Sequence, residues 1–214
     1  GNSRRRGKSN ATREPKRSPS TRNSIVITEL EFKSLAEQGY NRIPLIIEAF
    51  ADLETPLSLY LKLTSGLGRS RYSFLLESVV GGERFGRYSF IGLPARTVLR
   101  SSGFGADTRT EVLTDGAVVE VDRGNPLEFI AAYRDRFKVA LSPGLPRFCG
   151  GLAGYFAYDA VRYMEPSLAG SCPPDALGTP DILLMHCDEL AVIDNLSGKL
   201  YLIVYADPAQ PEAW

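Results

Sequence analysis

Glu77 and Ser78 are the two side chains whose neighbours best equip them to meet a small molecule. They follow Phe74, Leu75 and Leu76, a run apolar enough for a strand covered on both faces, and such a strand delivers polar groups at its end, where a ligand can reach them. A carboxylate beside a hydroxyl suits a zwitterion: Glu77 accepts from an ammonium group, and Ser78 donates to or accepts from a carboxylate. Gly81 and Gly82 break the run, and residues 87–91 resume it as a second strand that carries Tyr88. On pattern alone the plainer assignment is favoured, with Glu77 a solvent-facing strand end and Ser78 a turn hydroxyl.

Elements on either side must hold this pair in place. Residues 40–50 are apolar around Pro44, which has no N–H for a central ladder, so they read as an extended edge segment. Thr55 as N-cap and Pro56 at the first helical position open a short helix through Leu63. Strand signals follow at 96–101, 110–113 and 118–121, the last two flanking a Thr114-Asp115-Gly116 turn. Asn125-Pro126 opens the clearest helix, residues 127–139, whose stripe of Leu127, Phe129, Ile130, Tyr133 and Phe137 predicts packing on a sheet. Residues 148–158 read as a strand punctuated by Gly150, Gly151 and Gly154, and 159–165 as a helix. Those glycines lack the spacing of a dinucleotide fingerprint, so close packing of strand on helix is their expected role. Strands at 182–185, 190–193 and 200–205 follow, the last two joined through a turn at 194–199. The pattern is an α+β fold of mixed, mainly antiparallel sheets with packed helices.

Composition supports a folded body behind a basic tail. With 43% hydrophobic residues in 214, the chain can bury roughly 70% of its unfolded surface. Residues 1–24 hold eight basic side chains and one acid, Glu14, and the remainder offsets them to a formal charge of zero. This segment is too polar to offset its ordering entropy and reads as disordered. It has no aromatic residue for a base to stack on, so nucleic acid is a poor partner. GNSRRRGKS at residues 1–9 is not a phosphate loop, because Asn2 stands where that motif needs Gly and no strand precedes it. No run approaches the roughly 18 apolar residues of a membrane span. Cys149, Cys172 and Cys187 are widely spaced and lack metal-ligand spacing, which favours reduced, buried thiols in a cytoplasmic protein over a disulfide or zinc. His186 beside Cys187 is not a catalytic dyad, since adjacent strand residues point to opposite faces.

Three motifs in order, TPLSLYLKL at 55–63, LLES at 75–78 and GGERFGRYSFIG at 81–92, together resemble the amino-terminal part of component I, the large subunit, of anthranilate synthase. GGLAGYFAYDAVRYME at 150–165 resembles the wider chorismate-utilising superfamily without choosing a member. The similarity runs from about Thr28 to the end. It implies an enzyme, a lyase, that converts chorismate and ammonia, or glutamine through an amidotransferase subunit (component II), into anthranilate and pyruvate in tryptophan biosynthesis. Behind the basic tail at 1–24, which the similarity does not cover, it further implies a regulatory domain at 25–214, with the catalytic residues and Mg2+ ligands beyond Trp214 and none in this segment. In the family the serine of LLES contacts the feedback inhibitor L-tryptophan, which carries that role to Ser78, with Glu77 as its neighbour and Tyr88 lining the pocket. Two alternatives stand beside it. The sister aminodeoxychorismate synthase usually shows a tryptophan where this chain has Pro56-Leu57-Ser58-Leu59-Tyr60, and a stand-alone amino-acid-binding module would need no catalytic domain.

Overall fold

A computed structural model describes residues 27–65, 72–78, 86–168, 175, 177–210 and 213. The basic tail, the Gly81-Gly82 break and Cys172 lie outside the described residues. In chain order the elements are α1 (Glu29–Glu37), β1 (Ile43–Phe50), α2 (Pro56–Thr64), β2 (Phe74–Leu76), β3 (Tyr88–Gly92), β4 (Thr97–Ser102), β5 (Arg109–Thr114) and β6 (Ala117–Asp122). They continue with α3 (Pro126–Asp135), β7 (Gly151–Phe156), β8 (Ile182–Cys187), β9 (Glu189–Asp194) and β10 (Lys199–Ala206).

Two five-stranded antiparallel sheets result, one ordered β1-β10-β9-β3-β2 and the other β6-β5-β4-β8-β7. Strand alternation sorts the side chains into layers. On β9, Leu190 and Val192 join Cys187, Met185 and Ala153 of the other sheet in a core between the sheets. Ala191 and Ile193, from the opposite face, pack with Leu59 and Tyr60 of α2. On β8, Ile182 and Leu184 turn to Tyr133, Leu127 and Ile130 of α3. The order is therefore α2, first sheet, second sheet, α3, with α1 packed through Phe32 on Ile43 and Ala206. One residue, Asp188, separates β8 in one sheet from β9 in the other.

Local chemistry explains most element ends. Thr55 caps α2, accepting from the Ser58 N–H at 3.0 Å, with Pro56 at the first turn. Asp115 and Gly116 both take positive φ, 51° and 84°, as a two-residue turn between twisted strands demands. Pro44 sits on β1, an edge strand, as predicted. Four readings need correction. The structure adds α1, opened by a capping box between Thr28 and Glu31. The helix expected over 127–139 stops at Asp135, because Asn41 takes the Arg136 carbonyl at 2.8 Å and the Lys138 N–H at 2.7 Å. Residues 159–165 form no α-helix; Tyr158–Tyr163 is a single 3-10 stretch without a side-chain cap. β2 is not covered on both faces either, since it is a three-residue edge strand whose Leu76 is 55% exposed.

Candidate functional site

β2 and β3 set the geometry around the Glu77-Ser78 pair. Their antiparallel register pairs Phe74 with Gly92 and Leu76 with Phe90. The strands approach closely at Gly92, where a Cβ would stand 2.1 Å from the Phe74 ring. Glu77 is exposed and Ser78 half-buried, and neither makes a side-chain hydrogen bond to another described residue. Both are free to bond a ligand.

On the face of β2 and β3 that carries Leu76 runs a file of rings. Tyr88 lies 6.1 Å from Phe90, Phe90 lies 5.6 Å from Phe148 in an edge-to-face contact, and Phe148 lies 6.4 Å from Phe74. Such rings offer the apolar faces and edges that an aromatic ligand packs on. The start of β3 is anchored from β9 and the turn that follows it. Arg87 holds the Asp194 carboxylate through both Nε and Nη2, the closest contact being 2.8 Å, and its guanidinium stands 4.9 Å over the Tyr88 ring. Asn195 donates to the Gly86 carbonyl and to Ser89 Oγ, both at 3.1 Å. Burial of Asp194, which is 1% exposed, pushes its carboxyl up. The hydrogen bonds from Arg87, Ser197 and the Leu196 N–H outweigh that, so the group lies below its ordinary range and stays ionised.

Sequence reasoning missed Arg87, Asp194 and Phe148. Asp194 is 107 positions from Arg87, and no local pattern pairs residues so far apart. Of the three cysteines, the described Cys149 and Cys187 are free and buried. His186 packs at 4.5 Å on Phe137 and 6.0 Å on Tyr133, while Cys187 joins the core between the sheets, so the two neighbours do point to opposite faces. Of the three glycines at 150–154, Gly154 meets strand backbone, with a Cβ placed 1.9 Å from the Leu183 carbonyl. Close packing is thus its role, on a strand rather than on a helix.

Among the described residues no three His, Cys, Asp or Glu side chains converge on a metal position. No helix among them is long and apolar enough to cross a membrane.

No family model matches the chain. Curated relatives do. The chain is 56% identical over 192 residues to the anthranilate synthase component 1 of Neisseria meningitidis serogroup C, a stretch covering 88% of the chain and 38% of the relative. Similarity to the Pseudomonas putida protein of the same name is 55% over 185 residues, or 86% of the chain and 36% of the relative. The Synechocystis protein of that name is 40% identical over 176 residues, 82% of the chain and 33% of the relative. The chain therefore spans little more than a third of the length of the relatives it matches. Over that stretch it belongs with the anthranilate synthase component 1 proteins, as a homologue of their amino-terminal portion.

Proposed function

We propose that this chain is the L-tryptophan-sensing part of an anthranilate synthase component I, a cytoplasmic lyase that makes anthranilate and pyruvate from chorismate and ammonia. Glutamine would serve through a component II amidotransferase. The observation that supports this best is identity of 55–56% across most of the chain to proteins of that name. No catalytic residue is assigned to this segment; its task is to bind the end product. Glu77 accepts from the ammonium group of L-tryptophan, Ser78 bonds its carboxylate, and the indole lies toward Tyr88 and Phe90. The exposed Glu77, the free Ser78 hydroxyl and the ring file from Tyr88 to Phe148 are consistent with that division of labour. Magnesium and chorismate would be held elsewhere in the complete enzyme. Feedback inhibition then requires tryptophan to favour a less active arrangement, a coupling of about 1–3 kcal/mol.

The test is a chimera in which this chain replaces the matching part of the Pseudomonas putida relative. It is supplied with chorismate, Mg2+ and ammonia and read by anthranilate fluorescence. Turnover should fall as L-tryptophan is added. Ser78→Leu should leave turnover within about twofold and raise the tryptophan needed for half-inhibition more than about tenfold. Unchanged inhibition in that variant would remove Ser78 from the pocket, and no turnover in the parent chimera would remove the enzyme assignment.

A further inference from the structure

A cleft of about 610 Å³ opens where β8 crosses into β9 through Asp188, beside the irregular segment that follows α3. It is separate from the Glu77-Ser78 pair: none of Glu77, Ser78 and Tyr88 lines it. Its volume falls within the roughly 300–1,000 Å³ of small-molecule sites.

The walls are apolar, with Phe137, Val139, Leu141, Leu145, Phe148 and Leu152 among them. Charge at the cleft is one-sided. Arg42, Arg134 and Arg147 line it, against Asp188 as the one lining carboxylate among the described residues. Arg42 is committed to Asp188 and Asp207 at 3.6 and 3.2 Å and lies 4.7 Å over the Phe137 ring. Arg134 is paired with Asp135 at the surface. Arg147 is exposed and its guanidinium has no partner among the described residues. Asp188, already shared between Arg42 and His186 Nε2 at 3.4 Å, leaves no free carboxylate among the described lining residues to answer it.

We propose that this cleft is a second small-molecule site, one that takes a compact ring-bearing carboxylate. The apolar walls receive the ring, and Arg147 pairs with the carboxylate at the mouth, where a guanidinium's fork matches two oxygens. A cationic ligand would meet the unpaired Arg147 guanidinium, and inorganic phosphate would leave the apolar walls without a partner. Phe148 lines the cleft and also touches Phe74 and Phe90, so the two sites share one ring.

Benzoate is the probe, titrated calorimetrically into the 214-residue chain, with benzyl alcohol and benzylamine as neutral and cationic counterparts. Saturable binding of benzoate is expected, weakened about tenfold or more for both counterparts and for Arg147→Glu. Leu141→Trp, at an exposed position on the wall, should block the probe while leaving the far-ultraviolet circular dichroism unchanged. Ser78→Leu, outside the cleft, should leave benzoate affinity unchanged, which separates this site from the proposed sensing site whether or not tryptophan binds there. No saturable binding, equal affinity for all three probes, unchanged affinity in both folded variants, or loss of benzoate binding in Ser78→Leu would each overturn the assignment.

Discussion

Gly154→Ala tests how the second sheet is held together. A Cβ at this position would lie 1.9 Å from the Leu183 carbonyl oxygen and 2.9 Å from both Leu183 C and Leu184 Cα. All three are backbone atoms of β8, so no side chain can swing aside. β7 must instead move out by about 1.1 Å to reach the 3.0 Å closest approach that Cβ atoms tolerate. Ladder hydrogen bonds of about 2.9 Å would stretch to about 4.0 Å, beyond bonding range. Losing two of them costs about 1–3 kcal/mol, and overpacking strain brings the total to about 2–4 kcal/mol. β7 is an edge strand paired only with β8, so it can yield without dragging another strand with it, and the cost stays in that range. For a chain of this size about 3 kcal/mol lowers the melting temperature by roughly 6–12 °C. Gly124→Ala is the control: its Cβ would meet only the end of the Asp122 side chain at 3.1 Å, and reduced unfolded-state entropy makes it neutral or slightly stabilising. Urea unfolding followed by circular dichroism measures both. A Gly154→Ala loss below about 0.5 kcal/mol would refute the backbone-contact reasoning.

Two further outcomes follow from buried titratable groups. Because the Asp194 carboxyl lies below its unfolded value of about 3.9, its contribution to stability is present above that pH and is lost as the pH falls through the folded value. Asp194→Asn should therefore unfold at lower urea than the parent at pH 6, with the gap narrowing toward pH 2.5; a constant gap would contradict the assigned Arg87 pairing. Burial pushes the Cys187 thiol up to about 12, so at pH 8 only about one in ten thousand is thiolate. With Cys149 and Cys172 replaced by alanine, Cys187 should react with a disulfide reagent only as fast as the protein opens, and labelling at the rate of a free thiol would show that it is not buried.

Legibility in the sequence followed the range of the interaction. Thr55-Pro56, Asp115-Gly116 and Asn125-Pro126 act within three or four residues, and the structure places helix starts or a hairpin turn at each. The Thr28-Glu31 box was equally local, but it opens only nine residues, of which Phe32 alone is buried. What ends α3 is Asn41, about 95 positions away; the apolar stripe running on to Phe137 reports burial against His186, not helix. Likewise Phe74-Leu75-Leu76 reads the same at an edge as in a sheet centre, because the run records apolar side chains and not which backbone groups find a partner. At the site, Glu77 and Ser78 stand out from the apolar run before them and take their role, with Tyr88, from motif resemblance, whereas Arg87 with Asp194 and Phe148 with Phe90 needed the sheets assembled.

The edge position of β2 also limits what Ser78 can do alone. Small-molecule sites bury about 70–90% of their ligand, yet Glu77 is exposed, Leu76 is more than half exposed, and among the described residues β2 has β3 as its only sheet neighbour. A tryptophan held by these residues would keep much of one face in water, and each Å² of apolar surface that stays wet forgoes about 25 cal/mol of binding free energy. With about 60 Å² of indole uncovered, on the order of 1.5 kcal/mol is missing, or about tenfold in affinity. Calorimetry should therefore give a tryptophan dissociation constant about tenfold or more weaker for this chain than for the Pseudomonas putida chimera, with Ser78→Leu weakening both. Equal affinities would mean that the described residues already enclose the ligand, and an effect of Ser78→Leu confined to the chimera would mean that the serine acts on the coupling and not on direct binding.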